Sequence, residues 1–312
     1  MDAFFVPSAR TSLAAQVTGG ATIRILLVED DDGVAQVLKN IRRRAAFHSE
    51  DEYRLRIRIG EQRPGDVSSH PVWRDAEAAR LSTERLLRLA RAAGKRIHVL
   101  HVSAAGELPL LAANRDIASI EATPHHLIFS SSDHARLGSL IQMNPPVRDA
   151  SHREALWRAL QSGLIDILGS DHAPHTLEEK ARPYPQSPSG MPGVQTLVPV
   201  MLDRVHRGDL TIERFVDLTS HGPQRLFGIA NKGRIAEGCD ADLTVVDLKR
   251  RETITNGWIE SRCRWTPYDG MAVTGWPVGT LVRGRRVMWD GQITGQAHGQ
   301  PITFTEALKG RP

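Results

Sequence analysis

The chain has 312 residues, of which 40% are hydrophobic, so it can bury the core of one large domain or of two smaller ones. Its net charge is +4, and the densest basic run, Arg42 to Arg44, has no interleaved aromatic residues, which argues against a nucleic-acid platform. Two cysteines without CxxC spacing argue against a disulfide framework, and no apolar run approaches the ~20 residues of a membrane span, so we expect a cytoplasmic protein.

Short apolar runs alternate with helix-like segments up to about residue 170, while residues 1–22 match no regular pattern. This alternation predicts a parallel sheet with right-handed crossovers. The predicted strands are 23–28, 45–48, 96–103, 119–123 and 165–170, and the predicted helices are 34–44, 76–93, 107–114 and 152–162.

Polar side chains follow these strands, and a further apolar run at 141–143 leads into an asparagine in the same way. Because the carboxyl ends of parallel strands meet at one edge, the pattern predicts the mouth of a (β/α)8 barrel of the TIM type. A dinucleotide-binding sheet is disfavoured, since no Gly-rich turn follows the first strand. The polar residues concerned are His48, His101, His125, His126, Asn144, Asp171 and His175.

After about residue 230, turn residues and short strand-like pieces replace this pattern. Gly and Pro separate predicted strands at 273–276, 280–282 and 286–289, which is typical of a small β unit. We therefore expect three parts: an unassigned segment at 1–22, a partial (β/α) barrel domain at 23–230, and a C-terminal β unit with a tail at 231–312.

The residues just past the strand at 165–170 suit hydrolytic chemistry. Carboxylates and imidazoles are ligands of catalytic zinc, and Asp171 could also take a proton from water and pass it to a leaving nitrogen. His175 could bind a substrate carboxylate. On the strand at 96–103, His98 and His101 point to opposite faces, so only one can face the barrel interior. His101, nearer the mouth, is the better ligand candidate, and we expect His98 to be a packing or helix-facing residue.

Three other features stay open on the residues alone. His48 lies beside acidic residues and suits a surface or supporting position as well as a ligand. His125 and His126 suit either a contact with the site or a loop cap. Asn144, followed by two prolines, suits either a rigidly presented substrate-binding amide or an ordinary turn.

Nine segments of the sequence, taken in chain order, resemble the motifs of dihydroorotases. These are members of the cyclic amidohydrolase family and relatives of hydantoinases and allantoinases. The resemblance runs from about Leu26 to about residue 293, and the ordered set is more specific than any single motif. The segments that carry it are Phe47–Asp51, His101–Ser103, Thr123–Leu127, Asn144–Arg148, Gly169–His175, Ser189–Thr196, Gly233–Asp247, Trp265–Gly270 and Val282–Gly284.

The resemblance implies a (β/α)8 barrel with one or two zinc ions, and reversible hydrolysis of dihydroorotate to N-carbamoyl-aspartate in pyrimidine synthesis. It implies that His48 and His101 ligate the second metal. Asp171 would ligate the first metal and act as general base. Asn144, His175 and the backbone near Gly193 would contact the substrate.

The family pattern is incomplete in this chain. The family's first strand carries a His-x-His followed closely by an Arg, and no histidine occurs in residues 1–47 of this chain. Lys39 does not occupy the position of the lysine that is carboxylated to bridge the metals. Five or six predicted strands before residue 175 also fall short of eight. We therefore expect a family member that lacks its N-terminal third, with an incomplete second metal site. We expect the isolated chain to have weak or no activity. We also expect it to associate, either as a homo-oligomer or with a carbamoyltransferase.

Three alternatives accompany this hypothesis. The segment Ile23–Asp31 resembles the start of a response-regulator receiver, in which paired acids hold Mg²⁺. A non-catalytic homologue that scaffolds another pyrimidine enzyme would also lack metal ligands. A hydantoinase or allantoinase would share the barrel, although the segments Asn144–Pro146 and Asp171–His175 favour dihydroorotate.

Overall fold

The computed structural model describes residues 34–35, 38 and 44–305, and these contain two four-stranded sheets. The first sheet is parallel, with its strands side by side in chain order. A sequential parallel sheet with helices between its strands is one section of a (β/α) barrel, and the barrel here is partial. Its strands are β1 Ala45–Phe47, β2 Ile97–Val99, β3 Ala118–Ala122 and β4 Ile167–Leu168.

The longest helix, α3, illustrates why the helices form where they do. The Asp75 carboxylate accepts a hydrogen bond from the Ala78 N–H at 3.0 Å and so caps the helix. Ala79, Leu86 and Ala90 are buried on the stripe that faces the sheet. The helices are α1 Glu52–Ile57, α2 His70–Trp73, α3 Ala76–Ala92, α4 Glu107–Ala112, α5 Pro124–Ile128, α6 His134–Leu137, α7 Ala150–Gln161, α8 Leu177–Lys180, α9 Leu197–His206, α10 Ile212–Val216 and α11 Gly222–Phe227.

The two faces of the parallel sheet differ in polarity. Ile97 and Val99 of β2 join the apolar core beneath the helices. His98 lies on the opposite face, where its Nδ1 is 2.8 Å from the hydroxyl of Ser119 and its ring meets Phe227 edge-on at 5.3 Å. His98 is thus a packing residue, as predicted, but on the barrel-interior face and not beneath the covering helices.

The second sheet is antiparallel and confirms the predicted C-terminal β unit. Two strands predicted as separate pieces are one long strand, β6, which packs against α9. Gly275 of β6 has φ +102, and a Cβ there would lie 2.6 Å from the Cβ of Leu202, so glycine allows the close approach. The strands are β5 Leu243–Thr253, β6 Ala272–Val282, β7 Arg285–Trp289 and β8 Gln292–Ile293.

Three expectations about the elements need correction or lie outside the described residues. The apolar run before Asn144 is not a strand, because Gly138–Ile141 forms a 3-10 turn that begins at a glycine with φ +52. The strand predicted at 96–103 is confined to β2, since the positive φ of His101 bends the chain out of the ladder. The strand predicted at 23–28 and most of the helix at 34–44 lie outside the described residues. In the part of the chain described, no helix is long and apolar enough to cross a membrane.

Candidate active site

The structure brings His48 and His101 together at the carboxyl ends of β1 and β2. The Nδ1 atom of His48 lies 3.2 Å from the Nε2 atom of His101, and the ring centroids are 4.9 Å apart. The ambiguity over His48 is therefore settled in one respect: its imidazole lies against the other predicted ligand and not on an outer surface. The two strands place these rings side by side because they are parallel neighbours in register.

A buried carboxylate orients the His48 ring. Glu50 Oε2 is 3.0 Å from Nε2 of His48 and 2.7 Å from a guanidinium nitrogen of Arg74. A carboxylate accepts, so Nε2 of His48 carries the proton and Nδ1 presents its lone pair towards His101. Burial alone would raise the pKa of Glu50, but the Arg74 charge and the His48 hydrogen bond outweigh it and leave that pKa far below its usual value.

This pair can be tested for its fit to a metal ion. Two imidazoles on one tetrahedral Zn²⁺, with bonds of about 2.0–2.1 Å, place their ligating nitrogens about 3.3 Å apart. The observed 3.2 Å separation fits that spacing. The other ring nitrogen of His101, Nδ1, is buried with no hydrogen-bond partner among the described residues. Those residues contain no group of three or more His, Cys, Asp or Glu side chains arranged to hold a metal. The pair therefore fits two ligands of one ion, one fewer than the three of a catalytic zinc site.

His101 and Asp171 share an unusual backbone conformation just past their strands. His101 has φ 34 and Asp171 has φ 44, a region that non-glycine residues rarely adopt and that is concentrated at functional sites. Burial lowers the pKa of the His101 imidazole, and the Asp171 carboxylate opposes that shift. Asp171 is thus close enough to interact electrostatically with His101, although it does not join the two imidazoles as a third ligand. The Glu121 carboxylate supports His101 from below by accepting its backbone N–H at 3.2 Å.

Asn144 and His175 are linked through the segment Ser189–Thr196, which resembles the substrate loop of the dihydroorotase family and is called the substrate loop below. Oδ1 of Asn144 lies 2.9 Å from Nε2 of the buried His70, and Oγ of Ser189 lies 3.5 Å from that same nitrogen. Nε2 of His175 donates to the backbone carbonyl of Ser189 at 3.1 Å. The structure therefore links Asn144 and His175 through His70 and Ser189, with no direct contact between the two side chains among the described residues.

Lys180 fixes the loop on both sides of Ser189. Its ammonium donates to the carbonyl of Pro188 at 2.8 Å and to that of Gly190 at 2.9 Å, and its side chain is almost fully buried. Burial lowers the pKa of Lys180 to about 7. The lysine ties the carbonyl oxygens together, so the loop has a fixed course past His175.

Gly193 lies where the loop crosses the segment after β4. A Cβ at this position would meet the carbonyl oxygen of Ser170 at 2.6 Å, so only glycine fits. Its backbone N–H donates to Nδ1 of His172 at 3.1 Å. Gly193 thus has a structural role in the loop, and its N–H already has a partner on the protein. It also lines a cavity of about 290 Å³ together with Pro192 and Ile259.

The adjacent pair His125 and His126 is buried and holds the loop that carries Asn144. The Thr123 hydroxyl lies 3.0 Å from Nε2 of His125 and 2.8 Å from Nδ1 of His126. Nε2 of His126 donates to the carbonyl of Pro145 at 3.1 Å. Burial lowers the pKa of His126 to about 3, so its ring is neutral. These contacts favour the loop-cap role of the two that the sequence left open, because both rings bond to Thr123 and His126 also bonds to the loop at Pro145.

Sequence reasoning missed the residues that support this site. Glu50 stands two positions from His48 on a strand exit, and a carboxylate at that spacing from a candidate ligand was a signal for its role. His70 and Arg74 carried no such signal, because their partners are distant in sequence and only the fold brings them together.

Comparison with known proteins shows the family of the chain. The sequence signature described as the amidohydrolase family matches residues 76–287. A dihydroorotase from Halobacterium salinarum is 40% identical over 255 residues, which are 82% of this chain and 59% of that protein. A dihydroorotase from Pyrococcus abyssi is 40% identical over 220 residues, which are 70% of this chain and 52% of that protein. The chain thus spans between about half and three fifths of the length of these relatives.

Comparison with solved structures shows the same fold. An L-hydantoinase (dihydropyrimidinase) from Arthrobacter aurescens superposes with a TM-score of 0.83 at 31% identity, covering 88% of this chain and 64% of that one. A D-hydantoinase superposes with a TM-score of 0.79 at 28% identity, covering 86% of this chain and 62% of that one. The segment that resembles a receiver, at residues 23–31, lies outside both the family match and the described residues. With a family signature over most of its length and the same fold as these structures, the chain belongs to the amidohydrolase family.

Proposed function

We propose that the chain carries the site of a metal-dependent cyclic-amide hydrolase that acts on dihydroorotate. The observation that carries the proposal is the His48–His101 pair, whose ligating nitrogens are 3.2 Å apart at the mouth of a partial barrel. The curated relatives named dihydroorotase, at 40% identity, support this substrate over others. Zinc is the proposed metal, because two imidazoles with a carboxylate nearby suit it.

The proposed chemistry opens the ring by adding water. The oxygen of a water molecule bonds to the ring carbonyl carbon, the C–N bond breaks, and the nitrogen receives a proton. Asp171 takes that proton from the water and returns it to the leaving nitrogen. A bound Zn²⁺ supplies Lewis-acid polarisation of the carbonyl. His48 and His101 would hold the ion.

Substrate binding is assigned to the loop side of the site. The carboxamide of Asn144 and the imidazole of His175 offer N–H donors to the oxygens of the substrate. Because Nε2 of His175 already donates to the carbonyl of Ser189, its use in binding requires that bond to be exchanged. Gly193 belongs to the same loop, and its backbone completes the proposed binding surface.

We infer that the chain alone turns over slowly. Its described donor set is one ligand short of a catalytic zinc site, so the second metal site of the family stays incomplete. Self-association forms part of this proposal, since exposed apolar side chains cluster around α1 and α2, with Ile57 84% and Ile59 58% exposed. A carbamoyltransferase is the other proposed partner, and a cytoplasmic location goes with it.

The experiment is a zinc-supplemented assay of ring opening of L-dihydroorotate by the purified chain and its Asp171→Asn variant, with zinc content measured in parallel. Slow turnover that is abolished in Asp171→Asn supports the proposal. Near-normal turnover with two zinc ions per chain would contradict the incomplete site. Turnover that is unchanged in Asp171→Asn would contradict the assignment of the base.

A second candidate substrate class is the hydantoins. The observation in its favour is the high TM-score to the L-hydantoinase, at 31% identity. The same assay with hydantoin and dihydrouracil in place of dihydroorotate separates the two candidates. No turnover of any cyclic amide, together with co-purification of a carbamoyltransferase, would favour a non-catalytic scaffold.

A further inference from the structure

His70 is a buried histidine that belongs to none of the motifs of the site, yet it contacts Asn144, a predicted substrate-binding residue. It begins α2 and is 2% exposed. Its Nε2 lies 2.9 Å from the backbone carbonyl oxygen of Met143 and 2.9 Å from Oδ1 of Asn144. Its Nδ1 lies 3.3 Å from the hydroxyl of Tyr184. Both ring nitrogens are therefore engaged, on opposite sides of the imidazole.

These partners decide the tautomer of His70. A backbone carbonyl can only accept a hydrogen bond, so Nε2 must carry a proton to bond with Met143. Burial lowers the pKa of His70 to about 4, and the nearby Arg74 charge acts in the same direction, so the ring is neutral at neutral pH. A neutral ring has a single N–H. Nδ1 is then the acceptor, and the hydroxyl of Tyr184 donates to it.

The tautomer in turn sets the orientation of the Asn144 carboxamide. Nε2 of His70 donates, so an Nδ2 amide group at the same position would set two donors against each other. Oδ1 of Asn144 therefore faces His70 and shares its N–H with the Met143 carbonyl, and the Nδ2 group turns away. Asn144 is partly exposed, and the side-chain hydrogen bond that it forms within the described residues uses Oδ1. We propose that His70 is a positioning residue that locks the carboxamide of Asn144 so that it offers N–H donors to an acceptor oxygen of a cyclic-amide substrate.

The His70–Asn144 pair lies beside the substrate loop. The hydroxyl of Ser189 lies 3.5 Å from Nε2 of His70 and 3.2 Å from the side-chain nitrogen of Gln142. The carbonyl of the same Ser189 accepts from His175. A change in the tautomer or the orientation of His70 would therefore alter the contacts of both Asn144 and the substrate loop. The identity of the ligand rests on the proposed function, whereas the orientation of the amide does not.

The first test is equilibrium binding of L-dihydroorotate to a set of variants of the whole chain. We expect His70→Phe and Asn144→Ala each to weaken binding at least ten-fold, and the double variant to be no weaker than either one. His70→Gln, which keeps a donor at the position of Nε2, should stay within about three-fold of the parent. His134→Phe is the matched control, because it removes another buried imidazole that bonds to a backbone carbonyl, that of Gly138. Additive losses in the double variant, or a His70→Phe variant that binds normally, would overturn the proposal.

The second test needs no ligand. In a chain labelled with ¹⁵N at asparagine side chains, the amide signals of Asn144 are identified by their loss in Asn144→Ala. We expect one sharp pair of signals in the parent, in His70→Gln and in His134→Phe, and a shifted or broadened pair in His70→Phe. An unchanged pair in a folded His70→Phe variant would refute the positioning role. If the parent binds no dihydroorotate, the proposed function fails, and this signal still decides the role of His70.

Discussion

Replacing Glu50 with glutamine should both destabilise the fold and weaken metal binding. The Glu50 carboxylate is 1% exposed and bridges Nε2 of His48 at 3.0 Å to the Arg74 guanidinium at 2.7 Å. Glu50→Gln leaves the Arg74 charge, itself only 12% exposed, without a counter-charge. Breaking a buried pair in this way costs about 3–5 kcal/mol of the free energy of unfolding. Because a carboxylate behind a ligand histidine sets its tautomer, zinc affinity should fall about 10–100-fold.

The assays are urea denaturation of the chain and competition for Zn²⁺ with a chromophoric chelator. Asp116→Asn is the matched control, since its ion pair with Arg91 has both side chains more than half exposed, at 61% and 53%. An exposed pair contributes about 0–1 kcal/mol, and this one lies outside the metal site. A Glu50→Gln variant that loses no more stability than the control, or that binds zinc as tightly as the parent, would refute the reasoning.

Two further predictions concern the substrate loop. Gly193→Ala should lower the free energy of unfolding by about 1–3 kcal/mol and weaken dihydroorotate binding, because a Cβ there meets a backbone oxygen at 2.6 Å. Gly60→Ala, where a Cβ meets nothing within 4 Å, is the control, and equal effects at the two glycines would count against this account. Burial lowers the pKa of Lys180 to about 7, so between pH 7 and 10 this side chain binds fewer protons in the folded state than in the unfolded state. The stability of the parent relative to Lys180→Met should therefore rise with pH across that window by up to about 4 kcal/mol in urea melts, and a flat difference would contradict it.

The positions of His48, His101 and Asp171 follow from local pattern. Each comes within three residues of the end of a buried parallel strand, and parallel strands deliver their carboxyl ends to one edge. Period-2 alternation predicts opposite faces for His98 and His101, but His98 lies on the barrel-interior face and His101 bends out of the strand. Sequence could not show that His101 adopts a positive φ and leaves the ladder, because that conformation depends on what surrounds the strand exit.

Asn144 shows where local pattern fails. An apolar run followed by Asn and Pro reads equally as a strand end or as a turn, and Gly138–Ile141 closes a 3-10 turn. The contact that gives Asn144 its orientation comes from His70, which is 74 positions away in the chain. Such a pairing is set by tertiary packing and leaves no periodic signal. The same holds for Arg74, whose pairing with Glu50 spans 24 positions.

Zinc titration of the purified chain tests the central claim, that His48 and His101 form part of a metal site, most directly. The account predicts about one Zn²⁺ per chain, with affinity at least ten-fold weaker in His48→Ala and unchanged in His134→Ala, which alters a buried histidine outside the site. Equal zinc affinity and stoichiometry in the parent and in His48→Ala would contradict it.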